Sequence, residues 1–301
     1  MTASKNFPNL PANWSEETGF LPNFSKKIFY RILSRKNKMH KRALFIIHGL
    51  GEQGDRFTHW PHYLHSCVDA IGLIDLPGHG QSEGTRGHIE SFDDYSLAAL
   101  AGFEFFHEQI NQKLGPTELH WLGTSMGGLV TLRTMIHYKN LPLASVIAAE
   151  PQLGIAVPVP AIKEFFGVLI EPVLGKIPLS NEINVRLLSH DESVQKKYKE
   201  NPLNHSKVSP RLYVNMKKEM ATVHNFSEAF PYNLCLMVPL ADQIVGWKDA
   251  FRFFNQLNMQ SKRQKELLTF PNFYHELFNE LEKGRAFEAL QSWILKASKA
   301  V

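Results

Sequence analysis

A serine flanked by glycines is the strongest chemical signal in this sequence. The run Gly123-Thr-Ser-Met-Gly127 follows a short apolar stretch, Leu119–Leu122, and directly precedes a helical pattern of apolar residues. A nucleophilic serine on a strand-to-helix turn has a strained backbone, and glycines two residues away on either side prevent steric clashes there. The pattern therefore favours Ser125 as a nucleophile over a structural serine in a glycine-rich turn.

Such a serine needs a general base, and the base needs a carboxylate that fixes its tautomer. On a turn of this kind the partners follow the serine in the order acid, then histidine, each just past the end of a strand. Of the fourteen histidines, His275 meets this condition after the apolar run Leu267–Phe270. Asp242 follows the run Leu234–Val238 in the same way. We therefore expect these two residues to complete a catalytic triad. Asp249 is the alternative candidate for the acid, although it is better explained as an acidic residue in the first turn of a helix.

The oxyanion of an acyl-transfer intermediate needs two hydrogen-bond donors. We expect one to be the backbone N–H of Met126, at the start of the helix after the serine. The other is expected from the loop after the apolar run that ends at Ile47, where Leu50 offers its N–H. His48 lies in this loop but precedes the serine, so a structural role at the strand end explains it better than catalysis.

The elements that must position these residues alternate between strand and helix. Short runs that are apolar on successive residues suit strands covered on both faces of a parallel sheet: Ala43–Leu50, Ala70–Leu76, Leu119–Leu122, Ala144–Ala149, Leu234–Val238 and Leu267–Phe270. A probable hairpin (Gly19–Phe20, then Lys27–Leu33) precedes them, and helical patterns lie between them. We expect an α/β fold with a mostly parallel, twisted sheet and helices on both faces.

The alternation of strands and helices breaks between Pro151 and Phe230. This stretch has many prolines and no clear strand. Because a structureless loop of that length is unusual, we expect a helical insertion. The predicted organisation is a core of residues 1–150 and 231–301 with a helical cap, or lid, at 151–230. The cap begins with an apolar segment, Ala161–Ile170.

Composition narrows the class of protein. The chain has 301 residues, of which 44% are hydrophobic, and a net charge of +4 spread along its length, which does not indicate nucleic-acid binding. Two cysteines, Cys67 and Cys235, cannot form a disulfide framework. There is no apolar signal segment at the N-terminus and no run of about 20 apolar residues. We expect a cytoplasmic protein that needs no cofactor and no metal.

With these residues in place, the chain resembles the α/β-hydrolase superfamily, specifically its monoacylglycerol lipase and lysophospholipase group. His48-Gly-Leu-Gly-Glu-Gln-Gly-Asp-Arg-Phe57 is similar to the family's HGxGEHxxRY. Asp75-Leu-Pro-Gly-His-Gly-Gln-Ser-Glu-Gly-Thr-Arg-Gly-His88 is similar to its D-xx-GHGxSxGxRG. The serine turn, the Ala241-Asp242 turn and Tyr274-His275-Glu276-Leu-Phe-Asn279 complete the set, and the resemblance extends over nearly everything from Gly19 onward.

The resemblance implies further roles. Leu50 would supply an oxyanion N–H, whereas His79 and Ser82 would belong to a structural loop. The cap would be a mobile lid that lines an acyl channel and makes transient contact with a membrane surface. The chain departs from the family at three positions. Thr124 stands where histidine is common, and Asn201 where aspartate is common. Glu150 replaces a small residue, so it could repel anionic head groups or pair with a cation of the cap.

The sequence thus predicts a serine hydrolase that cleaves the ester of a single-chain lipid, a monoacylglycerol or a lysophospholipid, through an acyl-enzyme on Ser125. A short-chain carboxylesterase or a thioesterase would use the same triad. A non-catalytic lipid-binding protein is a third interpretation, although such a protein need not retain all three residues. A peptidase or a C–C bond hydrolase stays open, since one fold hosts many chemistries.

Overall fold

An eight-stranded mixed sheet forms the centre of the molecule. A computed structural model of the chain describes residues 10–37, 39–156, 171–181 and 183–298. The strand order is β1-β2-β4-β3-β5-β6-β9-β10. β1 and β2 pair antiparallel to each other and β2 pairs antiparallel to β4, whereas the pairs from β4 to β10 are parallel. The strands are Trp14–Phe20 (β1), Phe29–Arg35 (β2), Arg42–Ile47 (β3), Ala70–Ile74 (β4), Glu118–Thr124 (β5), Ser145–Ala149 (β6), Leu179–Ser180 (β7), Lys207–Val208 (β8), Leu234–Pro239 (β9) and Lys265–Phe270 (β10).

Helices connect these strands. Those with both ends in the described residues are Pro61–Leu64 (α1), Asp93–Leu114 (α2), Met126–His137 (α3), Glu192–Glu200 (α4), Pro210–Asn225 (α5), Trp247–Asn255 (α6) and Lys283–Ala297 (α7), and residues 171–174 are helical as well. Short 3₁₀ turns lie at Gly54–Phe57, Val185–Leu187, Ser227–Ala229 and Leu277–Asn279. None of the helices in this part of the chain is long and apolar enough to cross a membrane.

Two hydrophobic cores lie on opposite faces of the sheet. In β3, Phe45 and Ile47 pack with α2 and α3, whereas Leu44 and Ile46 pack with α1 and α7. Successive side chains of a strand point to opposite faces, so a strand covered on both sides must be apolar throughout. This is why the central strands read as uninterrupted apolar runs.

The predicted fold class is confirmed: the protein has the mostly parallel sheet of an α/β-hydrolase, with helices on both faces. The predicted hairpin is the antiparallel pair β1–β2. Between β6 and β9 the described residues contain α4 and α5, but also the two-residue strands β7 and β8, which pair antiparallel. The sequence showed no clear strand in this region, because a two-residue ladder is too short to give a sequence pattern. The apolar segment Ala161–Ile170 lies outside the described residues.

Candidate active site

Ser125 lies on a tight turn between β5 and α3. Its backbone has φ 52° and ψ −120°, in the left-handed region that side chains rarely adopt. A Cβ added to Gly123 would lie 2.2 Å from the carbonyl oxygen of Gly127, and a Cβ on Gly127 would lie 2.2 Å from that of Ile47. Both glycines are therefore required by backbone-to-backbone packing, which holds the serine at the carboxyl edge of the sheet.

The structure brings the three predicted triad residues together. The imidazole Nε2 of His275 lies 2.9 Å from Ser125 Oγ, and its Nδ1 lies 2.7 Å from Asp242 Oδ2. The other carboxylate oxygen, Asp242 Oδ1, accepts the backbone N–H groups of Ile244 at 2.7 Å and Val245 at 3.1 Å. These bonds fix the carboxylate, so the histidine donates through Nδ1 and can accept the serine proton at Nε2.

The electrostatic surroundings favour a basic histidine. Burial by itself lowers the pKa of His275, but the charge and hydrogen bond of Asp242, followed by the charges of Glu276 and Glu52, outweigh it. The pKa of His275 is therefore raised above its ordinary value. A more basic imidazole accepts a proton more readily, provided that the pH is high enough to keep it neutral at rest.

The two predicted oxyanion donors lie beside the serine. Met126 begins α3 directly after Ser125, and Leu50 lines the same cavity as Ser125 and His275. A Cβ added to Gly49 would lie 3.0 Å from Ser125 Cβ, so the loop before Leu50 packs against the serine side chain. Within the described residues, no protein acceptor takes the N–H of Leu50 or of Met126. Both donors are free to bind a developing negative charge.

A small cavity of about 60 Å³ opens at Ser125. Its walls combine residues from the core and from the segment between β6 and β9, and half of the described lining residues are aliphatic: Leu50, Ile183, Val185, Leu188, Ile244 and Val245. A larger and more polar cavity, of about 380 Å³, contains none of the triad residues. Tyr198 lines both cavities. We assign the chemistry to the smaller cavity because only this one contains the nucleophile and the base.

A family model described as serine aminopeptidase, S33, matches residues 38–282. The chain belongs to this family of α/β-hydrolases. The match covers most of the chain and includes all three residues of the Ser125–His275–Asp242 relay. It confirms the predicted superfamily and the prediction of a hydrolase.

The relatives of this S33 hydrolase include lipases. Phospholipase YtpA of Bacillus subtilis is 25% identical, over 83% of this chain and 94% of its own length. Monoglyceride lipase of Mus musculus is 27% identical, over 84% of this chain and 82% of its own length. An uncharacterised abhydrolase domain-containing protein of Dictyostelium discoideum is 28% identical over 83% of this chain, which spans only 26% of that protein. The predicted resemblance to the monoacylglycerol lipase and lysophospholipase group is confirmed.

Solved structures share the fold of the S33 hydrolase. The monoacylglycerol lipase of Paleococcus ferrophilus superposes with a TM-score of 0.77 at 24% identity, covering 91% of this chain and all of its own. A soluble variant of monoglyceride lipase from Saccharomyces cerevisiae gives a TM-score of 0.80 at 18% identity, covering 94% of this chain and 95% of its own. At these identities the likeness establishes the fold alone.

A buried ion-pair network that the sequence did not reveal connects the two sides of the site. Arg56 bonds Glu52 Oε2 at 2.6 Å and both carboxylate oxygens of Glu276 at 2.7 and 2.5 Å. Glu52 Oε1 also accepts the N–H of Gly49 at 2.7 Å. The network therefore ties the loop of the Leu50 donor to the residue after His275. Opposite charges four residues apart, Glu52 and Arg56, are the signal that could have indicated it.

The S33 hydrolase also differs from expectation at Glu150. This carboxyl is only 4% exposed, and its Oε2 has no hydrogen-bond partner in the described part of the chain. Burial, followed by the charges of Asp242, Glu52 and Glu276, raises its pKa well above the ordinary value. Among the described groups, the charges that shift the pKa of Glu150 most come from the acids Asp242, Glu52 and Glu276 and not from a cation of the cap.

Other candidate residues of the S33 hydrolase lie in structural positions. His48 Nδ1 contacts the Gly49 carbonyl at 2.7 Å and its Nε2 accepts the N–H of Leu76 at 2.9 Å, as expected for a structural histidine. Asp249, the alternative candidate for the triad acid, lies in the first turn of α6 and forms a salt bridge with Arg252. In the described ranges, no group of three or more His, Cys, Asp or Glu side chains is arranged to hold a metal ion.

Proposed function

We propose that the protein is a serine hydrolase that cleaves carboxylic esters of single-chain lipids through an acyl-enzyme on Ser125. The observation that carries the proposal is the continuous relay from Ser125 Oγ through His275 to Asp242, with contacts of 2.9 and 2.7 Å. Two backbone donors, at Leu50 and Met126, lie beside it, and no acceptor in the described part of the chain engages them. A nucleophile, an oriented base and an oxyanion site are the three parts that acyl transfer requires.

The reaction has two halves. Ser125 Oγ attacks the ester carbonyl carbon while His275 Nε2 takes the hydroxyl proton, and the carbonyl π electrons move to the oxygen held by Leu50 and Met126. When the intermediate collapses, the bond to the alcohol breaks and His275 returns the proton to the departing oxygen. His275 then removes a proton from water, whose oxygen attacks the acyl carbon. As the bond from the acyl carbon to Ser125 Oγ breaks, His275 returns that proton to Oγ and the acid is released. Asp242 stabilises the imidazolium in both halves.

Two observations support a single-chain lipid ester as substrate. Relatives that cover most of this chain are a phospholipase and monoglyceride lipases by name. Half of the described residues that line the cavity at Ser125 are aliphatic, which suits an acyl chain. At about 60 Å³ it is smaller than a lipid chain needs, so we propose that the segment at 151–230 acts as a lid that moves when substrate binds.

A contact with membranes belongs to the same proposal. Apolar side chains are exposed in the described part of the proposed lid, among them Val173 at 84% and Ile177 and Leu179 at 51% each. A lipid surface would cover such side chains. Sedimentation with anionic vesicles tests this, since replacing these three residues by serine should abolish cosedimentation without changing hydrolysis of a water-soluble ester.

The central test is Ser125→Ala. This variant should lose hydrolysis of p-nitrophenyl esters and labelling by a fluorophosphonate probe, because the attacking oxygen is absent. Ser82→Ala is a suitable control serine, since Ser82 Oγ bonds the backbone of Asp75 and Phe29 instead of the histidine. A Ser125→Ala protein that kept the parent rate, or native protein that the probe failed to label, would contradict the proposal.

A substrate panel separates the alternatives. Monoacylglycerols, lysophospholipids, acyl thioesters and aminoacyl amides should be compared at matched chain lengths. A maximum at short acyl chains would favour a carboxylesterase, and a maximum on thioesters a thioesterase. The family description makes peptidase activity the second candidate, and faster cleavage of aminoacyl amides than of any ester would favour it.

A further inference from the structure

The loop after β10, which carries His275, is bonded directly to the proposed lid. The N–H of Glu276 donates to the carbonyl of Leu188 at 2.8 Å. The hydroxyl of Ser189 donates to the carbonyl of Asn279 at 2.9 Å. Two consecutive residues of the lid therefore hold the part of the loop that follows the histidine.

The side chain of Glu280 joins the same two parts of the molecule. This residue is only 2% exposed. Its Oε1 accepts the N–H of Tyr274, the residue before His275, at 2.8 Å and lies 2.9 Å from His190 Nδ1. Its Oε2 accepts the N–H groups of His190 at 3.3 Å and of Leu281 at 3.1 Å. The rings of His190 and Tyr274 stack with their centroids 3.6 Å apart. One buried carboxylate thus connects the lid to the backbone on the other side of the histidine.

The position of Glu280 indicates an indirect effect on the reaction. It is not among the described residues that line the cavity at Ser125 or the larger polar cavity, so it does not contact a substrate there. Hydrogen bonds to a charged acceptor are roughly twice as strong as bonds between neutral groups. A displacement of about 1 Å in a reacting group can lower a rate by about 10²-fold. The bonds of Glu280 therefore bear on catalysis through the place of the His275 imidazole.

We propose that Glu280 is a positioning residue: its carboxylate fixes the backbone before His275 against residues 187–190 of the lid, so that the imidazole stays within reach of Ser125. The inference rests on the proposed function, because it assumes that His275 is the base. Residues 187–190 then stay with the histidine loop while other parts of the lid move.

The first experiment measures hydrolysis of a p-nitrophenyl ester by Glu280→Gln and Glu280→Leu. Glutamine keeps the length and one acceptor oxygen, whereas leucine removes every acceptor. We expect kcat to fall roughly 3- to 10-fold in Glu280→Gln and about 100-fold in Glu280→Leu. KM should stay within about twofold in both, because Glu280 touches no substrate. An unchanged kcat in Glu280→Leu, or a change confined to KM, would overturn the proposal.

Asp69 offers a matched control for a purely structural role. It is a fully buried carboxylate that also clamps backbone, since its Oδ2 accepts the N–H groups of His40 at 2.7 Å and Lys41 at 2.8 Å. It precedes β4 and so lies at the amino edge of the parallel strands, opposite Ser125. Asp69→Asn should lower the melting temperature as Glu280→Gln does, but keep kcat within about twofold. An equal loss of kcat in these two variants would show that stability alone is responsible.

The second experiment observes the histidine without turnover. The proton between His275 Nδ1 and Asp242 should give a low-field proton NMR resonance, identified by its absence in Asp242→Asn. We expect this resonance to shift or broaden in Glu280→Gln and to stay unchanged in Asp69→Asn. An unchanged resonance in Glu280→Gln would contradict the proposal. Because this measurement needs no substrate, its result is independent of the proposed function, which Ser125→Ala tests in parallel.

His190→Phe tests the same connection from the lid, where the His190 side chain is 40% exposed. Phenylalanine keeps a ring over Tyr274 and removes the contact with Glu280. We expect kcat to fall roughly 2- to 10-fold with KM unchanged, as for the loss of one hydrogen bond. This variant decides the matter if Glu280→Gln does not fold, and a wild-type kcat in His190→Phe would then refute the inference.

Discussion

Replacing Arg56 by methionine should damage both stability and catalysis. The Arg56 side chain is buried and makes three charge-assisted hydrogen bonds of 2.5–2.7 Å to Glu52 and Glu276. Removing one partner of a buried ion pair leaves charges that nothing compensates, at a cost of about 3–5 kcal/mol. Unfolding entropy is about 2.1 cal/mol/K per residue, or roughly 0.6 kcal/mol/K for a chain of 301 residues, so that loss corresponds to a fall of roughly 5–8 °C in melting temperature.

The catalytic effect follows from what Arg56 connects. Glu52 holds the N–H of Gly49, next to the Leu50 donor, so movement of Glu52 displaces that donor. Loss of one oxyanion donor typically lowers kcat by about 10²–10³-fold, and we expect the lower end of this range. The pKa of His275 should rise further, because the charges of Glu52 and Glu276 already raise it and lose their counter-ion. The acid limb of the pH profile should therefore move to higher pH.

The assay combines thermal unfolding with ester hydrolysis over pH, and two variants serve as controls. Arg285→Met removes an exposed pair with Glu282, in which both side chains are more than half exposed, and should change stability by about 0–1 kcal/mol. Arg56→Met combined with Glu276→Gln should recover part of the lost stability, because one uncompensated charge is removed. An Arg56→Met protein with the melting temperature and kcat of the wild type would refute the reasoning.

Three further outcomes are expected. Asp242→Asn should lower kcat by about 10⁴-fold through the wrong tautomer, and should lower the pKa of His275, as pH–rate profiles would record. Gly123→Ala should unfold at a clearly lower temperature than Gly284→Ala, since a Cβ meets backbone at 2.2 Å in the first case and nothing within 4 Å in the second. Both cysteines are buried, and burial raises the pKa of each thiol, so Ellman's reagent should react only after unfolding.

The sequence by itself determined the central part of the fold and the identity of the chemical groups. Strands covered on both faces must be apolar at every position, so they can be recognised in the sequence as uninterrupted apolar runs. The turn at Ser125 needs glycines at fixed offsets, and the chain order of acid and histidine singled out Asp242 and His275. These features depend on local backbone geometry and on topology. Both restrict which residue types can stand at given positions of the sequence.

Only the tertiary structure determined which buried charged side chains lie next to one another. Arg56 and Glu276 are 220 residues apart in the chain yet bond directly, and nothing in their spacing predicts that contact. The pKa of Glu150 is raised by burial and by the charges of three carboxylates that come from three different loops. The energy of a buried charge is set by its neighbours in space and by the exclusion of water, and neither quantity is encoded at any single position.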